Sequence, residues 1–301
     1  MDWDNFLLKR AKEDLSSYKN FNNLVTGQRF GMIQIKEGKF SLKYPGEFSK
    51  TIFFESRQRI IPYMFNTDLS ELPDCKIPIY LYDSYDYADN FSFTWAKPYN
   101  KPGLLFPCWS FYNWEKTVKE FDKAYIPWKD RSDEPYFRGA DSTKKRSNIR
   151  KLFQQMYPEN ITLDHPVVKP IAELMNHKIV FDLPGQKPWS IRTPYINLSG
   201  SASLRVFHYY PKWGETPWIQ FFEDPKDLHG IMLESNWDKP LKEEQIRQLE
   251  DELPEQIRLL HGKRAQNRAE KLREKMKTLT TQHMLNYIKF ICTYIGEKQD
   301  L

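Results

Sequence analysis

Cysteine is scarce in this chain. Cys75, Cys108 and Cys292 are the only three in 301 residues. Odd in number and widely spaced, they suggest neither a disulfide framework nor a zinc site. Apolar runs of signal-peptide or membrane-span length are also missing, and the start, Met1-Asp-Trp-Asp-Asn, is acidic. The expectation is a soluble protein of a reducing, cytoplasmic compartment with no membrane span. Net charge is small, +5 at neutral pH, which is far from the balance of a dedicated nucleic-acid binder and suits one electropositive cleft for a phosphorylated substrate. There is no Walker loop, no Gly-x-Gly-x-x-Gly, no internal repeat and no low-complexity tract. The six histidines are scattered, so no local Ser/His/Asp or Cys/His grouping supports nucleophilic catalysis.

What the chain does have is enough length for two domains or one large one, and an aromatic content of 15%. Most of those rings are expected in the core, with some free to stack on sugars or bases. Apolar residues at helical spacing (Trp3, Phe6, Leu7, Ala11, Leu15) predict an amphipathic helix over residues 3–19. Residues 29–54 read as short strands punctuated by Gly31, Gly38 and Gly46, and Arg57–Met64 as a helix. The turn Leu72-Pro-Asp74 leads into a strand over 77–82 that runs straight into Asp83. A long polar and aromatic loop follows, then a buried strand over 104–109 and a helix over 114–125. Beyond the crossing Ile126-Pro-Trp-Lys129, strands and helices alternate: Tyr136-Phe137, a helix over 146–156, a helix over 167–175 and a strand over 178–181. That alternation argues for α/β layers. The last fifty or so residues are helical, divided by Pro254 and Gly262.

The richest stretch is Tyr136-Phe-Arg-Gly-Ala-Asp-Ser-Thr-Lys-Lys-Arg146. A short strand ending in Arg-Gly, then a polar turn and a helix start, suits phosphate oxygens. Gly139 lets the backbone come close, Ser142 and Thr143 can cap the helix, and Arg138 and Arg146 can add charge-assisted bonds. On these residues alone a solvated basic turn fits equally well. Arg192, on the glycine-containing loop after the strand at 178–181, offers a second phosphate contact. Asp83 stands at the carboxyl end of a strand, where an open α/β sheet places its chemistry; a general base and a loop-capping residue are both consistent with it. Asp86 and Asp89 lie close by, but their spacing fits a base better than a divalent-cation site. In Phe106-Pro-Cys-Trp-Ser-Phe111 a rigid turn is joined to Trp109 and the Ser110 hydroxyl. The basic run from Lys263 to Lys277 is interleaved with Glu270 and Glu274 at helical pair spacing and reads as a solvated, ion-paired face.

Taken together, these pieces resemble glycosyltransferase family ninety, the protein O-glucosyltransferase (Rumi-like) and capsule-associated-protein family. The similarity runs in order over about residues 70–295. The Leu72-Pro-Asp74 turn and the strand into Asp83 are similar to the family's approach to its catalytic aspartate. Phe106-Pro-Cys-Trp-Ser-Phe111 resembles its Tyr-Pro-Ala-Trp-Thr-Phe, and Pro127-Trp128 ahead of Tyr136-Phe-Arg-Gly139 with Arg146 resembles its Pro-Trp and Phe-Arg-Gly-Ser blocks. Ser190-Ile-Arg192 is similar to its Ser-Phe-Arg, and Leu198-Ser-Gly-Ser201 to its Leu-Cys-Gly-Ser. The chain departs from the pattern at Ala140, where the family has serine, at Tyr82-Asp83-Ser84, where it has Arg-Asp-Tyr, and in the Ser-Phe-Arg loop, which needs one inserted residue here. The secretory signal and disulfide cysteines of the animal members are missing, which points to a bacterial or large-virus branch and, if viral, to the host cytoplasm.

The resemblance implies a GT-B-type fold of two Rossmann-like lobes with the active cleft between them. Residues 1–125 would carry the base, 126–260 would bind the nucleotide sugar, and the helices of 261–301 would pack back on the first lobe. It implies an inverting transfer of xylose or glucose from a UDP-sugar to a glycan or glycoprotein hydroxyl, with no metal or other cofactor. Asp83 would be the base, with Asp86 as its rival. Ser110, Arg138, Gly139, Ala140, Arg146, Ser190 and Arg192 would hold UDP, and Trp109, Phe111 and Asp86 would contact sugar or acceptor. Two other classes remain open: a catalytically idle nucleotide-sugar- or glycan-binding member of the same fold, and a basic nucleic-acid-binding protein.

Overall fold

The computed structural model describes residues 2–26, 29–44, 59–81, 91–139, 144–163, 171–183, 189–209, 217–228, 230–234 and 240–300. The chain is α/β and forms two compact units. The first comprises Met1–Trp114, Ile219–Glu223 and Leu279–Leu301, and the second Glu115–Trp218 and Asp224–Thr278. Asp83, Asp86, Asp89, Ala140, Ser142 and Thr143 lie outside the described residues.

In the first unit, helix α1 (Trp3–Ser16) is capped by the Asp2 carboxylate, which accepts from the Asn5 amide at 3.0 Å, and it buries Trp3, Leu7, Ala11 and Leu15 as the spacing predicts. Strands β1 (Phe30–Lys36) and β2 (Lys39–Lys43) form an antiparallel hairpin. Its two-residue turn is Glu37-Gly38, both at positive φ (50° and 70°), the backbone hand that matches strand twist. Gly31, expected as punctuation, instead sits inside β1. There a Cβ would stand 3.3 Å from both Ile79 and Leu81, so the glycine answers to packing between strands. Residues 59–64 form helix α2.

Strand β3 (Cys75–Tyr80) pairs antiparallel with β1, while β4 (Phe93–Thr94) and β6 (Leu104–Leu105) extend the sheet on parallel pairings in the order β2-β1-β3-β4-β6. The expected strand over 104–109 is therefore cut short. Pro107 offers no N–H to a ladder, and Trp109–Phe111 wind into a single 3-10 turn. Strand β5 (Ala96–Pro98) makes a separate short ladder with the chain entering 219–223. That insertion is fastened inside the unit by Arg10, whose buried guanidinium donates to the carbonyls of Gln220 (3.2 Å), Phe221 (2.9 Å) and Glu223.

Helix α3 (Trp114–Lys123) leads into the second unit. Strands β7 (Phe137–Gly139) and β8 (Ile161–Leu163) pair in parallel, and so do β9 (Ile179–Asp182), β10 (Ala202–Tyr209) and β12 (Gly230–Glu234); β11 (Trp218–Gln220) is the strand that pairs with β5. Tyr136, just ahead of β7, bridges Val180 of β9, with Tyr136 N–H donating to Ile179 O at 3.0 Å and Phe181 N–H to Tyr136 O at 2.9 Å. The parallel strands thus run β8-β7-β9-β10-β12, a doubly wound order that reverses direction between β7 and β9.

Both faces of this sheet are covered, and neighbouring strand residues alternate between them. Ile179 and Phe181 pack with Ile149, Leu152 and Phe153 of helix α4 (Lys144–Met156) and with Leu249, Leu253 and Ile257 of helix α6 (Glu243–Leu260). Val180 packs with Tyr136, Leu174 and Ile196, the last from helix α5 (Thr193–Ser199). The helix expected over 167–175 is a 3-10 segment, Ile171–Asn176, as far as it is described. Pro254 does not divide the C-terminal helices: it lies inside α6, where buried Leu249, Leu253 and Ile257 on either side offset the missing N–H bond. The break falls at Gly262, before helix α7 (Lys263–Thr278). Helix α7 belongs to the second unit and helix α8 (Thr281–Gly296) to the first. Among the described residues no helix is long and apolar enough to cross a membrane.

Candidate functional site

In a doubly wound sheet a crevice opens at the carboxyl ends of the strands where the order reverses, because the helices after the two central strands leave on opposite faces. Here those ends belong to β7 and β9. Strand β7 ends on Gly139 and is followed by α4; β9 ends on Asp182 and is followed by α5. Arg146, in the first turn of α4, and Arg192, immediately before α5, are brought together beside Gly139.

Gly139 shows how tight this convergence is. A Cβ on it would stand 2.8 Å from Arg192 Nη1, 2.9 Å from Arg146 Nη2 and 3.3 Å from the Phe137 ring. The glycine is therefore demanded by the close approach of two guanidinium groups. Phe137 lies under both, with its ring centre 4.6 Å from Arg192 Cζ and 5.2 Å from Arg146 Cζ. Each such contact contributes about 0.5–2 kcal/mol when desolvated. Arg192 Nη1 also donates to the carbonyl oxygen of Arg138, whereas its Nη2 is buried with no hydrogen-bond partner among the described residues. Burial holds the Arg192 pKa below its usual value, opposed by the nearby negative charge of Asp182. Two cations gathered around one glycine, with a donor left over, make a receptor for an anion with several oxygens.

Ser190 shapes the turn that aims Arg192. Its hydroxyl accepts from Arg192 N–H at 3.2 Å, and its carbonyl accepts from the Thr193 hydroxyl at 2.9 Å. Thr193 also donates to Asp182 Oδ2 at 2.8 Å, the same oxygen that meets Arg205 Nε at 3.1 Å. Asp182 Oδ1 is buried with no hydrogen-bond partner among the described residues. The guanidinium of Arg138 points elsewhere, to Glu173 Oε2 at 2.7 Å. That oxygen also accepts from the Tyr136 hydroxyl at 3.1 Å, and burial together with the Glu173 charge pushes the Tyr136 phenol up to about 12. Of the expected UDP-binding residues, then, Gly139, Arg146, Ser190 and Arg192 share this place, Arg138 gives it a backbone carbonyl, and Ala140 lies outside the described residues.

Trp109, Ser110 and Phe111 belong to the first unit. Phe111 is fully buried against Trp114 (5.0 Å), Phe222 (5.7 Å) and Phe221 (6.1 Å), as a core ring is. Ser110 is buried beside Cys108, whose thiol burial pushes up to about 11. Trp109 is half-buried, edge-on to Trp95 at 5.7 Å, and is the least buried of the three.

Three participants were not foreseen from sequence: Phe137 as the platform, Glu173 as the partner of Arg138, and Asp182. Asp182 ends a strand just as Asp83 follows one, so the same strand-end rule would have found it. Glu173 carried no local signal. No protein-family model matches the chain, and no curated protein matches it.

Proposed function

We propose that the Gly139–Arg146–Arg192 site holds the diphosphate of a UDP-sugar and that the protein is an inverting glycosyltransferase of GT-B type. It would move xylose or glucose to a hydroxyl of a glycan or protein acceptor without a metal. The observation that carries this reading is the meeting of Arg146 and Arg192 beside a glycine at the reversal of a doubly wound strand order. The resemblance of residues 70–295 to family ninety supplies the reaction.

In the proposed step Asp83, or its neighbour Asp86, takes the proton of the acceptor hydroxyl. The acceptor oxygen bonds to the anomeric carbon from the face opposite the diphosphate, and the bond from that carbon to the diphosphate oxygen breaks. UDP leaves with the electron pair, and Arg146 and Arg192 stabilise its growing charge.

Two measurements, both made in EDTA, test this. Arg146→Ala should lose one or two charge-assisted bonds and weaken UDP binding by about tenfold or more, read by calorimetry on folded protein. Unchanged affinity would remove the arginine pair from the donor site. Asp83→Asn should bind UDP-sugar nearly normally yet transfer about 10²–10⁴ times more slowly. If Asp83→Asn stays active while Asp86→Asn is dead, the base is Asp86.

A further inference from the structure

The three cysteines, which suggest no disulfide in the linear sequence, are not equivalent in the fold. Cys108 lies beside Ser110, while Cys75 and Cys292 come together. Cys75 opens strand β3, opposite Ile35 in the β1 ladder, and Cys292 lies on the buried face of α8 with Ile288, Ile291 and Ile295. Both are fully buried free thiols, and their side chains hydrogen-bond each other.

Contacts on either side of Cys75 fix this approach independently. A Cβ on Gly296 would stand 2.6 Å from Pro73 Cγ and 2.9 Å from the Asp74 carbonyl, so the end of α8 is pressed against the residues before Cys75. Just after it, Gln299 brackets Lys76, accepting from its N–H at 2.8 Å and donating to its carbonyl at 2.8 Å. The residues on either side of Cys75 are thus held against the end of α8, and Cys292 lies one helical turn before Gly296 on the buried face of that helix.

We propose that Cys75 and Cys292 are an oxidisable pair that closes to an intramolecular disulfide, tying the strand that leads to Asp83 to the C-terminal helix. Thiols already in contact need only small side-chain rotations to reach the S–S bond length of about 2.0 Å. The oxidant is a small-molecule disulfide such as oxidised glutathione. One cysteine thiolate attacks it to form a mixed disulfide and releases one glutathione. The second cysteine, as thiolate, attacks the protein-side sulfur and releases the other. Two cysteine protons leave and two glutathione thiols are formed. In the closed fold the reaction is slow, because burial excludes the oxidant and the hydrogen bond from Cys75, together with burial, holds Cys292 protonated well above the usual thiol pKa. Oxidation therefore proceeds through partial opening of α8. The product closes a loop on the order of 200 residues, which restricts the unfolded chain strongly.

The test is incubation of the full chain with oxidised glutathione in a urea series kept below the unfolding midpoint, followed by thiol counting and peptide mapping. Two of the three thiols should disappear together, faster as urea rises, with Cys75 and Cys292 recovered in one cross-linked peptide and Cys108 free. The oxidised protein should unfold at a higher urea concentration than the reduced one, and Cys75→Ser should leave Cys292 as a glutathione adduct that goes no further. A link through Cys108, a disulfide between chains, stable glutathione adducts on both wild-type cysteines, or three thiols that stay reduced across the series would overturn the proposal. The wild-type map decides the matter even if the serine variant fails to fold. None of these outcomes depends on the glycosyltransferase reading.

Discussion

Two pairs of arginines in the second unit are built on the same plan and left in different states. Arg131 and Arg273 face Tyr125, with Cζ atoms 5.6 and 4.2 Å from the ring centre; Arg192 and Arg146 face Phe137 at 4.6 and 5.2 Å. In the first pair the terminal nitrogens are taken up, although Arg273 Nε is buried with no hydrogen-bond partner among the described residues. Arg131 gives Nε to Ile126 O (2.8 Å), Nη1 to Ser201 Oγ (3.1 Å) and Nη2 to Ser199 O (2.9 Å), which closes the carboxyl end of α5, and Arg273 meets Asp122 at 2.6 Å. In the second pair Arg192 has the Arg138 carbonyl for one nitrogen, while Nη2 is buried with no hydrogen-bond partner among the described residues. A buried guanidinium is stable when its donors are met. In the Tyr125 pair the protein meets every terminal nitrogen, and the pair acts as a strut. In the Phe137 pair one terminal nitrogen of Arg192 is left over, and it is the donor the proposed diphosphate would take.

The most damaging way to test that difference is Arg131→Ala. It removes three hydrogen bonds at once and leaves the Ser199 carbonyl unmet in the interior, so a loss of about 3 kcal/mol is expected in urea unfolding. UDP affinity of the folded fraction should not change. An unchanged stability with a weakened affinity would reverse the roles assigned to the two pairs.

Gly139→Ala asks the opposite question. The new methyl would meet the far ends of two flexible side chains, 2.8 and 2.9 Å away, so the arginines shift and the fold survives. Stability should fall by less than about 1 kcal/mol, as for ordinary substitutions away from the core. Affinity for UDP should fall by about tenfold, because the guanidiniums can no longer converge. If stability falls sharply and affinity holds, Gly139 is a packing residue and the anion site lies elsewhere.

The contrast between the pairs also marks what a linear reading can reach. Gly139, Arg146 and Arg192 carry a local signal, since Gly139 ends a short apolar strand and each arginine comes after one, and strand ends in α/β sheets collect on one edge. Helices α1, α3 and α4 followed from apolar spacing within a turn or so of their ends. What was not legible depends on distance in sequence. Arg138 looked like a phosphate ligand until Glu173 appeared beside it across 35 positions. Phe111 is expected from the resemblance to contact sugar or acceptor, but Phe221 and Phe222, more than a hundred residues away, pack against it. Pro254 looked like a helix break because local propensity misjudged what burial on both sides of it can offset. The insertion of 219–223 into the first unit had no sequence mark at all, since it is fixed by Arg10 through backbone carbonyls that any residue would present.

The smallest expected effect concerns the carboxylate that completes the strut. Burial alone would raise the pKa of Asp122, but its hydrogen bonds to Arg273 and Lys277 and their charges outweigh that and hold it below the usual carboxylate value. A carboxylate depressed in this way adds stability above its unfolded-state pKa, roughly 4, and loses it as pH falls through the lower folded-state value. Asp122 is 41% exposed, so solvent screens the pair, and the contribution at neutral pH should be no more than about 1 kcal/mol. Asp122→Asn should therefore be slightly less stable than wild type at pH 7, and the gap should close as pH falls past the unfolded-state pKa, roughly 4, and through the lower folded-state value. Added salt should narrow the gap at pH 7, since half-exposed charges are screened within about 10 Å at 0.1 M. A gap that persists unchanged at low pH would mean that the Asp122 carboxylate is not what holds Arg273 in place, and that the Tyr125 pair rests on Arg131 and the ring.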